Sequence, residues 1–144
     1  MANATTNLAY EPIGSGGLMI RKGVDGGAHI YEGTLVSQLT ATGMFVPGST
    51  ASSGRAIGVA MHESDNTGGS DGDTIAEVMS DRIFLFANGA TTDAFSDASL
   101  IEASAYMIDD HTVADNDATG TRQIAGIFYG MDPSGKVRVK VSAY

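Results

Sequence analysis

Chemistry is suggested first by "YMIDDHTVAD", Tyr106 to Asp115, where Asp109 and Asp110 stand beside His111, one of only three histidines in the chain. A carboxylate oriented on an imidazole is the kernel of general acid–base catalysis, and two carboxylates with an imidazole can begin a metal site. Catalysis needs a nucleophile or substrate pocket as well, and adjacent residues on a turn seldom converge on one point. A metal site needs further ligands, yet His29 and His62 are the other imidazoles and neither has helical His spacing. "SAYMI" and "TVAD" flank the three residues as short strands, and Asp is favoured in turns because its side chain bonds nearby backbone. The preferred reading is therefore the corner of a β-hairpin.

Other motifs fail on their own terms. "DNDATG", Asp115 to Gly120, opens like a calcium loop, but the closing glutamate position falls on Gly126 and no helices flank it. "GGSDGDTIA" resembles one unit of a glycine-rich calcium repeat, and a single copy has no neighbours on which to stack. Calcium at Asp65, Asp71 or Asp73 is left open and not predicted. "GSGG", Gly14 to Gly17, follows no strand and opens no helix, so it reads as a flexible joint and not as a phosphate cradle. No catalytic residue, cofactor site or metal site is assigned.

The elements that must position these residues are short. Nineteen glycines lie among β-branched and small residues in a chain of 144, which describes many strands joined by glycine turns in one domain. Cysteine is absent, so disulfides and thiolate metal sites are excluded. A net charge of -9 with only eight Lys and Arg argues against nucleic-acid binding. No apolar run approaches the roughly 18 to 20 residues of a membrane span, and the first residues lack the basic and apolar regions of a signal peptide. A soluble chain made in a cytoplasm is expected.

Residues 1–17 read as an extended arm outside the domain, with Leu8, Tyr10 and Ile13 as its scattered apolar positions. Residues 18–144 form the domain. The run "SDNTGGSDGD" reads as a tight or mobile connection, and "TTDAFSDASLIE" supports at most a short helix. "RIFLFA" places Phe84 and Phe86 on one face and Ile83, Leu85 and Ala87 on the other, so one face serves the core and the other an oligomer contact. "KVRVKVS" alternates strictly, with Val137, Val139 and Val141 inward and Lys136, Arg138 and Lys140 outward. Phe84, Phe86, Lys136, Arg138 and Lys140 are the oligomer-contact candidates. Strand modules recur loosely in the two halves, as if two hairpin-rich halves closed on one barrel. The expected fold is all-β: a compact, mostly antiparallel barrel or tulip-like domain, with a jelly roll as alternative.

From Gly54 to Ser142 the order of modules, "IGVA", the glycine and acid loop, "IFLFANGAT", "AYMIDDHTVA", "GTRQIAG" and "GKVRVKV", resembles the head decoration, or capsid cement, proteins of tailed phages. That resemblance implies a non-enzymatic virion component on the outside of the expanded head. It further implies a homotrimer bound to the major capsid protein, stabilising the head against DNA pressure. Leu8, Tyr10 and Ile13 become candidate capsid contacts, the arm adding a strand to a capsid edge. No nucleic-acid or membrane partner is expected. A tail or fibre module that binds a host receptor is the alternative, and a small-molecule-binding barrel is a third reading.

Overall fold

A computed structural model describes residues 2–10, 12–13 and 16–143. Thirteen strands follow in chain order: β1 (Pro12–Ile13), β2 (Leu18–Gly23), β3 (His29–Ile30), β4 (Leu35–Gln38), β5 (Phe45–Pro47), β6 (Gly58–Ala60) and β7 (Ser64–Asp65), then β8 (Ile75–Ser80), β9 (Arg82–Asn88), β10 (Ser104–Met107), β11 (Thr112–Ala114), β12 (Ile124–Met131) and β13 (Val137–Val141). "TTD", Thr91–Asp93, forms a single 3-10 turn, the only helical element among the described residues.

The C-terminal half closes on itself. Strands β9, β11, β10, β12 and β13 lie side by side in that order, and β13 pairs back to β9, giving a five-stranded barrel. All of its pairings are antiparallel except β11 with β9. Ring closure removes the sheet edges and sets aside the jelly roll, which needs two packed sheets. The N-terminal half forms a separate antiparallel sheet, β2-β8-β6-β4-β5, and β3 pairs with β7. The expectation that both halves close one barrel is corrected here, because only the C-terminal half supplies a strand that returns to its own first strand.

Alternation explains how sheet and barrel share a core. Leu35, Val59 and Met79 pack with the barrel interior, while their neighbours Val36, Ala60 and Val78 pack in a second cluster with Val24, Ile30 and Phe45. Successive side chains of a strand point to opposite faces, so β4, β6 and β8 feed two cores at once. That is why Leu35 and Val36, and likewise Val59 and Ala60, stand as adjacent apolar residues where a half-exposed strand would alternate. Inside the barrel Phe95 stacks on Phe128 with centroids 4.4 Å apart, and Val137, Val139 and Val141 are fully buried. The inward assignment of those three valines holds.

The connection over residues 64–73 is tight. Asn66, 3 % exposed, donates from Nδ2 to the carbonyls of Val24, Asp25 and Ser70 at 2.9, 3.2 and 2.9 Å. One buried amide thus closes the loop on itself and ties it to the chain at Val24 and Asp25, and its need for partners in a dry site fixes the loop.

The first residues do not stand away from the domain. β1 pairs antiparallel with β9 (Pro12 opposite Phe84, Ile13 opposite Ile83), on the length of the β9 edge that β11 does not reach. Placing residues 1–17 outside the domain is therefore corrected: the described part of the arm is folded back. Gly14 and Ser15 of the expected joint lie outside the described residues.

Candidate functional site

Asp109, Asp110 and His111 sit where the hairpin reading places them, at the corner joining β10 to β11. Ile108 N–H donates to the Thr112 carbonyl at 2.9 Å, and His111 N–H donates to Asp109 Oδ1 at 3.0 Å. The convergence that sequence spacing disfavours does occur. His111 Nδ1 lies 2.9 Å from Asp110 Oδ1 and 3.2 Å from Asp109 Oδ1, and both aspartates are 1 % exposed.

Burial has a purpose at this corner, which joins three parts of the molecule. The Asp110 carbonyl accepts from Leu35 N–H of β4 at 2.7 Å. Ala4 N–H donates to Asp110 Oδ1 at 2.9 Å, and Asp110 N–H donates to Asn3 Oδ1 at 3.1 Å. Barrel, second sheet and N-terminal segment meet at one residue. Burial raises the Asp110 carboxyl above its ordinary value, against the opposing pull of His111 and the Ala4 amide. The three side chains bring one ligand atom each within 4.8 Å of one another, which a cation could use. The hydrogen bonds already engaging Asp109 Oδ1 and Asp110 Oδ1 define a clamp, and a clamp is the role assigned here.

A second tie holds the segment four residues on. Asn7 accepts from Glu32 N–H at 2.9 Å and donates to Glu63 Oε1 at 3.0 Å. Glu63 Oε2 lies 2.6 Å from His29 Nε2, and His29 stacks on Tyr31. The bonds from His29 and Asn7 hold the Glu63 carboxyl below its usual range. Gly33 passes beneath with φ +80°, and a Cβ there would lie 2.7 Å from the Ala9 carbonyl oxygen, so only glycine lets the segment approach.

The arm candidates fall at different depths. Leu8 is half-buried and helps line a cleft of about 230 Å³ with Phe86, His111 and Lys136. Tyr10 meets Phe84 edge-on at 5.5 Å and packs against the barrel core, and that burial raises its phenol. Ile13 remains 37 % exposed.

Phe84 and Phe86 are corrected as oligomer contacts. They are 1 % and 3 % exposed, because their face of β9 points into the barrel and is consumed by this chain's own core. The opposite face, Ile83, Leu85 and Ala87, is the one left outward. Arg138 and Lys140 do face outward from β13, while Lys136, just before the strand, is half-buried and lines the cleft beside Leu8. Arg138 already meets Asp132 at 3.3 Å and Lys140 meets Asp81 at 3.4 Å.

Asp65, Asp71 and Asp73 cap backbone amides of Thr67, Gly26 and Ser70, each at 2.9 Å. They shape the loop. Sequence reasoning missed Arg122, whose guanidinium grips Asp93 through two bonds of 3.0 and 3.1 Å while Asn116 binds the same carboxylate. The residues are dispersed over "TTD", "DND" and "GTR", and no spacing rule links them.

No family model matches the chain, and neither a curated protein nor a solved structure is similar enough to match it.

Proposed function

We propose that this chain is a non-enzymatic structural protein that binds the exterior of a tailed-phage head, as a homotrimer on the major capsid protein of the expanded lattice. The observation that carries the reading is a barrel filled by its own side chains. Phe84, Phe86, Phe95 and Phe128 occupy its interior with the three valines of β13, so the outer surface is left as the working surface. The order of strand modules from Gly54 to Ser142 supplies the virion context by resemblance. A ligand that binds only the mature lattice stabilises that lattice, and three copies acting together add avidity to modest contacts. An acidic exterior suits an outer position, where attraction for packaged DNA would serve nothing.

The folded-back segment refines how the head would be gripped. Leu8, Tyr10 and Ile13 reach a capsid subunit only if the segment exchanges its pairs with Phe84 and Ile83, and its ties at Asp110 and Glu63, for equivalent pairs on a capsid edge. Deleting residues 2–13 should leave the barrel folded and abolish binding to expanded heads in a co-sedimentation assay. Retained binding would remove the arm from the account. Gold labelling of intact virions with an antibody to the chain tests the location. Label over the head is expected, and label confined to the tail would move the protein to a tail or fibre role.

A further inference from the structure

The loop leading into β10 ends in Leu100, Ile101 and Glu102. Leu100 is 78 % exposed and Ile101 57 %. Glu102 holds φ at +74°, a left-handed conformation that ordinary side chains adopt at a cost, and its N–H is fixed to the Phe128 carbonyl at 2.8 Å. Two bare apolar side chains and a carboxylate are thus presented on a backbone pinned to β12.

Across β12, toward β13, lies a cleft of about 170 Å³ lined by Arg55, Asp81, Ile127, Tyr129, Lys140 and Ser142. Its chemistry is the complement of the loop. Arg55 Nε and Ser142 Oγ are buried with no hydrogen-bond partner, and Arg55 makes no ion pair among the described residues. A half-buried guanidinium without an acceptor is costly unless something supplies one. Ile127, 37 % exposed, gives the cleft an apolar wall. On a chain of net charge -9, this spot sets Arg55 and Lys140 against a single acid, Asp81.

We infer that the Leu100–Ile101–Glu102 loop of one copy docks in this cleft on a second copy, the Glu102 carboxylate meeting Arg55 while the apolar pair covers Ile127 and Tyr129. Both halves of the contact are on every chain. Within one chain Arg55 and Glu102 form no ion pair among the described residues: the loop is bonded along the β10 side of β12, and Lys140 and Ser142 bring the cleft to its β13 side. A surface carrying both parts of a complementary pair builds closed rings or two-fold pairs of identical copies. This interface deepens the homotrimer element of the proposed function and rests on it.

The test is sedimentation of the full chain as wild type, Arg55→Glu, Glu102→Arg and the double exchange. Wild type should associate, each single variant should associate about tenfold more weakly or worse, and the double exchange should recover most of the loss. Glu102→Gly keeps the positive φ while deleting the side chain, so its loss of association cannot be blamed on a misfolded turn, and it carries the test if Arg55→Glu fails to fold. A monomeric wild type, unaffected single variants, or no recovery in the double exchange would each overturn the interface. Head binding is scored separately. An associating chain that ignores phage heads sinks the head reading alone, and a monomer that binds them sinks this inference together with the trimer while leaving head binding in place.

Discussion

Asp110 ties the barrel to the second sheet and to the N-terminal segment, and its two jobs can be separated. Asp110→Asn keeps an oxygen for the Ala4 amide and removes the buried charge. Asp110→Ala leaves that amide without its acceptor and His111 with Asp109 alone, and should cost about 1–3 kcal/mol. Thermal unfolding of the two variants gives the comparison, with a larger loss for alanine expected. The pH dependence follows from the raised carboxyl. Its stabilising contribution is complete below the unfolded value of 3.8 and is lost as pH rises through the higher folded value, so wild type should lose ground to Asp110→Asn over that rise. Glu63 works in the opposite sense. Its folded value is lowered, so its contribution is present above 4.5 and fades as pH falls through the folded value. The protection factor of the Glu32 amide, which donates to Asn7, should fall on acidification through that range; an unchanged protection factor would show that the Asn7–Glu63 tie does not hold the segment. Neither tie is legible beforehand. Asn3 and Asn7 act through single polar bonds to residues far along the chain, and such bonds leave no period in a sequence.

At the scale of strands, alternation was readable wherever one face is wet. The valines of β13 are buried and its cations face out, so Phe84→Ala on the partner strand should cost about 3–5 kcal/mol, against no more than about 1 kcal/mol for Arg138→Ala. Chemical denaturation measures both, and equal losses would contradict the assignment of faces. Where both faces are dry, as in β4 and β6, the same reading gives a strand but not its neighbours. In β9 it gave the two faces and assigned the wrong one, Phe84 and Phe86, to the oligomer contact. Close approaches are equally silent. A Cβ on Gly126 would collide with the Lys140 carbonyl oxygen, so Gly126→Ala should destabilise the β12–β13 pairing by about 1–3 kcal/mol in the same assay.

For the whole molecule, fold class was within reach of composition, while the closure of β13 on β9 and the parallel seam of β11 on β9 were not. Those pairings join segments of distant sequence, and only the packed result selects them. Because β4, β6 and β8 contribute to both cores, the sheet cannot leave without opening the barrel. Unfolding followed by far-ultraviolet and by tyrosine circular dichroism should give coincident curves, and two separated transitions would show that the halves are independent. The pairing of the first strands also sets an order on biosynthesis. β1 and β2 run antiparallel to β9 and β8, which leave the ribosome last among the four. About 75 residues separate the end of β1 from the end of β9. At synthesis rates of roughly 5–20 residues per second, β1 waits about 4–15 s for β9, and β2, whose end lies about 57 residues before the end of β8, waits about 3–11 s. Through that interval Leu18, Met19 and Ile20 travel unpaired, and the nascent chain depends on chaperones or on its flanking glycines and charges to keep them from a neighbour.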